Sequence, residues 1–394
     1  MICTVLYLLL FFSAPFIADF YNKPEMTPMI KVLGFTLIVS GVKNIQTAYV
    51  SRKMIFKKFF FATLGGTIGA AVLGIWMALS GYGAWALIGQ SLFNNIVDTI
   101  ILWLTVKWRP KKVFSFSRLK TLFSYSWKLL VSSLLDTGYN NLRSLVIGKA
   151  YSPTDLAYYD KGNSFPLLII SNINTSIDSV LLPSMAQEQD DRARVKAMTR
   201  RSIKISTYLI APLLMGLAFC GKPLIRWILT DKWLPCVPYQ FIFCVAYMFY
   251  PIHTANLNAI KALGRSDLFL KMEILKKIVG LILLIVSVPM GVMAIAYSIL
   301  IVSFVSQMIN AWPNKKLLNY GYLEQIKDIL PAILLSVFMG FSVYWFSYLP
   351  IHDAVILVIQ AVTGALIYIG GSEVFKIDSY VYLKDIILRR MHKS

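Results

Sequence analysis

Residues 127–149 read WKLLVSSLLDTGYNNLRSLVIGK, a segment long enough for a membrane helix that nevertheless carries Lys128, Asp136, Arg143 and the pair Asn140 and Asn141. On insertion scales a charge near the centre of a lipid-facing helix costs roughly 2.5 to 3.5 kcal/mol. Charges repeated along one apolar rod therefore argue that it borders protein or water. The segment predicts one wall of a hydrophilic cavity inside a helical membrane protein. Asp136 and Arg143, seven residues apart, share a face but are separated by about 10 Å along the axis at 1.5 Å per residue. A direct pair would need a third group between them, so a cavity face is the expected setting. Lys128 lies near one end, where its stem can snorkel to the interface.

The composition around this segment agrees. Of 394 residues 57% are hydrophobic and only 15% charged, and the mean hydropathy is +0.64; soluble domains carry about 25% charged residues. A ruler of about 20 apolar residues, enough to cross the hydrocarbon, predicts twelve spans. They lie near 2–20, 29–50, 59–79, 84–106, 122–147, 164–185, 204–221, 238–260, 273–289, 291–311, 329–349 and 354–371. The opening MICTVLYLLLFFSAPFIADF lacks the basic region of a secretory signal and is expected to be a spanning helix. Between the ninth and tenth spans only Pro289, Met290 and Gly291 remain for a tight reversal.

The net charge of +20 could suggest nucleic acid, but no soluble domain fits between the apolar runs. The basic residues instead alternate from side to side. One set of connections holds Arg52, Lys53, Lys57 and Lys58; Lys107, Arg109, Lys111, Lys112, Arg118 and Lys120; Arg192 to Lys204; Lys261 to Lys277; Lys315, Lys316 and Lys327; and the tail from Lys376 to Lys393. The other holds only Lys23, Lys149, Lys161, Lys222, Arg226 and Lys232. That asymmetry predicts both termini in the cytoplasm and an even number of spans. The stretch QEQDDRARVKAMTRRSIK suits a surface helix ending at anionic headgroups. Ser266 or Asp267 is placed to cap the ninth span, and residues 377–394 form a short amphipathic helix for the inner leaflet.

Other polar residues fall inside the spans. Lys43, beside Asn44 and Gln46, either faces a cavity or reaches the membrane edge. Asp98, with Asn94 and Asn95, reads best as a hydrogen-bonding clamp between helices. Asn172, Asn174, Ser176 and Asp178 make the sixth span polar on one side, a second wall facing the first. His253 either titrates or bonds across helices, and Glu373 is interfacial. Cys3, Cys220, Cys236 and Cys244 lack paired spacing and read as packing residues. The sequence offers no metal cluster, phosphate loop or Ser/His/Asp constellation, so neither cofactor nor enzymatic activity is expected.

The order of local motifs carries a resemblance. APFIADFY, VSRKMIFKKFF, GYGAWAL, VKWRPKKVFSFSRLKTLFSYSWKLL, IGKAYSPTDLAYYDKG, LLPSMAQEQDD, LTDKWLPCVPYQ and GRSDLFLKMEILKK follow one another along the chain. Together they resemble the polysaccharide flippase family, in its lipopolysaccharide or teichuronic acid exporter branch, within the multidrug, oligosaccharidyl-lipid and polysaccharide exporter superfamily. The resemblance implies an all-α, two-lobed exporter of the bacterial inner membrane that moves undecaprenyl-pyrophosphate-linked oligosaccharide by alternating access. In family register APFIADFY ends a third helix, so the N-terminal lobe is incomplete: residues 1–110 hold four helices of it, 111–320 the six of the C-terminal lobe, and 321–394 two additional helices and a basic tail. The expected substrate cavity draws on Lys128, Asp136, Asn140, Arg143, Asn172, Asp178 and Lys43. The expected partners are a lipid-linked oligosaccharide, membrane lipids and a coupling cation, for which Asp136 and Asp178 are candidates. Two alternatives share the composition. A drug or metabolite cation antiporter should have an acidic cavity, and a membrane glycosyl polymerase or ligase should have large external loops.

Overall fold

The computed structural model describes residues 2–53, 55, 57–110 and 115–391; Lys111, Lys112 and Lys393 lie outside them. The described chain is helical throughout and divides into two compact units, Met1–Ser133 and Leu134–Ser394. Among the described residues ten segments are long and apolar enough to cross a membrane. Two more helices, α6 (Phe116–Ala150) and α12 (Ser266–Ser287), have spanning length but are more polar. With them the twelve expected segments are present, and the chain is a multi-pass membrane protein.

The first unit contains α1 (Ile2–Phe20), α2 (Met26–Gly34), α3 (Thr36–Arg52), α4 (Lys57–Leu79), α5 (Ala84–Thr105) and the start of α6. The second expected span is broken at Phe35 into α2 and α3. Gly34 there sits against Tyr7 and Leu10 of α1, where a Cβ would stand 2.9 Å from the leucine. α4 packs along α5 through small residues. Gly65, Gly66 and Gly69 give way to Ile101, Asp98 and Phe93. Lys43 of α3 meets Asp98 of α5 at 3.3 Å in an interhelical ion pair.

The second unit holds the rest of α6, then α7 (Pro153–Gln187), α8 (Arg192–Phe219), α9 (Gly221–Leu229), α10 (Val237–Met248), α11 (Tyr250–Ala262), α12, α13 (Val292–Leu318), α14 (Tyr322–Tyr344), α15 (Asp353–Val374) and α16 (Asp378–Met391). α7 begins eleven residues before the expected span because Ser152 and Asp155 form a capping box with Pro153 at the first position. α8 also starts early. The charged stretch after Gln187 is not a separate surface helix; from Arg192, capped by the Asp191 side chain, it runs unbroken into the membrane segment. The single span expected at 238–260 is two helices, since Pro251 has no backbone N–H to continue α10. No side chain caps α12; the Asp267 carboxylate is taken instead by Arg265 at 2.9 Å. α12 reverses into α13 through a 3-10 turn at Val288–Met290 and Gly291, whose φ of +105° a residue with Cβ rarely adopts.

The core of this unit lies between α8, α11 and α14, around Ile203, Ile210, Leu214, Ile252 and Ile329. A second cluster joins Ile147 of α6 to Tyr159, Phe243, Leu284 and Ile295. α14 and α15 are fastened to α8. Tyr368 donates to the Tyr208 carbonyl at 2.9 Å, and Tyr208 donates to Ser372 at 3.0 Å. α16 is tied to α15 by Lys384, whose ammonium donates to both Glu373 oxygens at 2.7 and 2.9 Å. That bonding holds the ammonium pKa above the ordinary lysine range.

Candidate substrate cavity

Within the second unit, α6, α7, α10, α11 and α13 enclose a cavity of about 590 Å³. α6 contributes Asn140, Arg143 and Ser144; α7 contributes Tyr159, Asn163, Asn174 and Thr175; α10 and α11 contribute Tyr247 and Tyr250. The lining is polar on the α6 and α7 sides, with Phe243, Leu167 and Ile299 completing it. Because residues three, four and seven apart on a helix share a face, Asn140 and Arg143 look into the same space, as do Asn163, Asn174 and the residues between them at helical spacing.

Most polar groups here already have partners. Ser144 donates to Asp160 at 2.9 Å, and Tyr247 donates to the Asn163 carbonyl oxygen at 2.8 Å. Asn174 accepts from Thr254 at 2.5 Å and donates to Asp178 at 3.2 Å. Arg143 differs. Its Nε and Nη2 are buried and have no hydrogen-bond partner among the described residues. A guanidinium presents its donors in a fixed planar fork that matches carboxylate and phosphate oxygens. Buried donors left open in this way cost stability, so the arrangement favours an anion in the cavity.

The structure distributes the sequence-derived candidates unevenly. Asn140 and Arg143 line the cavity. Asp136, one turn before Asn140, is half exposed and pairs with the Lys277 ammonium of α12. Asp178 lies one turn beyond Asn174 and also accepts from Asn258 at 2.6 Å. Asn172 is exposed, and its amide turns back to the Leu168 carbonyl at 2.8 Å. Lys43 belongs to the first unit and is engaged by Asp98. The side chain of Lys128 lies outside the described residues. His253 meets the Asn310 amide at 2.5 Å, a contact between α11 and α13.

Sequence reasoning did not find Tyr159, Asn163, Tyr247, Tyr250 or Lys277. Tyrosines count as apolar in a hydropathy window, so nothing marked them as cavity residues until α7, α10 and α11 were brought together. Lys277 was counted among loop charges, yet it lies well inside α12.

Comparison with known proteins places the chain. A profile of the family described as "Polysaccharide biosynthesis protein" matches residues 1–238. The teichuronic acid biosynthesis protein TuaB of Bacillus subtilis (strain 168) is 22% identical over 98% of this chain and 80% of its own length. The lipopolysaccharide biosynthesis protein WzxC of Escherichia coli (strain K12) is 20% identical, covering 86% of this chain and 70% of that protein. Among solved structures, the lipid II flippase MurJ in an inward closed conformation aligns with a TM-score of 0.77 at 18% identity, over 96% of this chain and 81% of that one. At that identity the likeness speaks for the fold. The profile match, spanning more than half of a chain that folds in this way, shows that the protein belongs to the polysaccharide biosynthesis protein family.

Proposed function

We propose that this protein is a flippase that carries a lipid-linked oligosaccharide, borne on undecaprenyl pyrophosphate, from the inner to the outer leaflet of a bacterial plasma membrane. The observation that carries this reading is Arg143, whose Nε and Nη2 are buried with open donors in a cavity whose polar lining is asparagine, serine, threonine and tyrosine. A pyrophosphate supplies oxygens for the guanidinium fork, and charge-assisted bonds of this kind are about twice as strong as neutral ones. Sugar hydroxyls suit the amides of Asn140 and Asn174 and the hydroxyl of Tyr250. The names of the relatives support the same substrate class: TuaB and WzxC are named for the synthesis of surface polysaccharides, and MurJ for flipping a lipid.

Transport then proceeds by alternating access, with a lobe formed by residues 1–110 rocking against one formed by 111–320 and with 321–394 as an added pair of helices. The distribution of basic residues supports an orientation with both termini in the cytoplasm. A coupling cation has Asp136 and Asp178 as candidate acceptors.

The test is a leaflet-exchange assay in proteoliposomes carrying a fluorescent polyprenyl-diphosphate oligosaccharide, read by quenching from outside. Wild-type protein is expected to equilibrate the probe between leaflets, and Arg143→Gln to leave it at the rate of protein-free vesicles. Equal rates for the two proteins at equal reconstitution would overturn the role of Arg143; no exchange by wild type, energised or not, would overturn the function.

A further inference from the structure

Facing residues of α6 and α12 follow one another in order. Asp136 pairs with Lys277, the Tyr139 hydroxyl presses on Gly280, Ile147 clusters with Leu284, and the Tyr151 hydroxyl donates to the Val288 carbonyl. The two helices therefore run side by side in the same direction. Arg143 belongs to this seam as well as to the cavity, because its Nη2 lies 3.8 Å from where a Cβ on Gly280 would stand. Lys277 is three residues before Gly280, about 4.5 Å along the axis at 1.5 Å per residue. Its flexible four-carbon stem spans that step.

Three charges thus share one strip. The Lys277 ammonium rests on the Asp136 carboxylate, while two guanidinium nitrogens of Arg143 find no partner among the described residues. The bridge is only partly covered, with the lysine side chain 34% and the aspartate 55% exposed. A pyrophosphate linked at both ends carries two negative charges, and one guanidinium balances only one of them.

We propose that Lys277 is a second phosphate-binding cation of the cavity, held in reserve by Asp136, and that a pyrophosphate seated on Arg143 draws the ammonium off the carboxylate. This rests on the reading of the cavity as a lipid-pyrophosphate site. Asp136 then acts as a competitor of the substrate, and the two ends of the bridge have opposite effects on binding. A bridge that only holds α6 to α12 would give both ends the same effect.

The experiment uses purified protein in detergent with farnesyl diphosphate as the probe, binding being followed by calorimetry and each variant checked for monodisperse elution. Lys277→Gln is expected to weaken binding about tenfold, the loss of one charge-assisted contact, and Lys277→Arg to retain most of it. Asp136→Asn is expected to tighten binding by about threefold or more, because the ammonium no longer has to leave a carboxylate. The double variant Asp136→Asn with Lys277→Gln should bind like Lys277→Gln alone. If Asp136→Asn weakens binding along with Lys277→Gln, or if neither changes it, Lys277 is only a structural partner and the proposal fails. Loss of binding in Arg143→Gln against a binding wild type leaves the cavity reading intact whichever way the lysine variants fall. A wild type that does not bind the probe removes both readings together.

Discussion

Where α8 meets α14 and α16, Arg200 donates to Asp328 at 2.7 Å and to Glu324 at 3.3 Å, and Lys204 donates to Asp378 at 2.5 Å. Tyr320 completes the set by donating to the other Asp328 oxygen at 2.7 Å. Next to it the fully buried Asn256 accepts from both Asn314 and Gln325 and donates to Gln325, while Asn314 Oδ1 keeps no partner among the described residues. On α6 the opposite holds: Arg143 has neither a carboxylate nor a carbonyl at its Nε and Nη2. Both sites put charge among apolar helices, and they differ in whether the protein itself supplies the counter-charge. A cation paired within the protein fixes one arrangement of helices; an unpaired one reserves a place for something that arrives later.

Arg143→Gln gives the widest contrast. Leaflet exchange should fall to background, while the midpoint of thermal unfolding stays level or rises, because an unpaired buried donor set is removed. Asp328→Asn should do the reverse. It takes the counter-charge from Arg200 and is expected to cost about 1 to 3 kcal/mol of stability, less than for a fully buried pair because Arg200 is 43% exposed. Exchange per folded molecule should remain near wild type. A stability loss in the first variant, or a selective transport loss in the second, would erase the distinction between the two regions.

Smaller effects sharpen it. In the first unit Gly66→Ala would set a Cβ 2.1 Å from Asp98 Oδ1 and 2.5 Å from Asn94 Oδ1. The Lys43 pair must then shift, and overpacking of this kind should lower stability by about 1 to 2 kcal/mol, measurable by thermal scanning in detergent. Gly280→Ala meets mainly the hydroxyl end of Tyr139, a flexible group that can swing aside. Its stability change should stay below about 1 kcal/mol, with farnesyl diphosphate binding weakened a fewfold as the displaced ring crowds Arg143.

These regions were not equally legible beforehand. The α6 wall stood out because Asp136 and Arg143 interrupt an apolar run, an energetic signal that one segment carries alone. The partners of those residues did not, since they come from α7 and α12, and no periodicity within a segment says which neighbour it will face. The Asn256, Asn314 and Gln325 cluster escaped for the same reason, Asn314 and Gln325 lying 58 and 69 residues beyond Asn256 in chain order. The early start of α8 was concealed by charge, although Asp191 ahead of Arg192 is an ordinary capping residue. Pro251 marked the place where α10 ends, but a hydropathy window averages across such a break.

The turn at Val288–Met290 and Gly291 leaves almost no slack between α12 and α13. A shift of the α12 backbone near that turn would pass directly to the start of α13, whereas a swing of the Lys277 side chain alone would not.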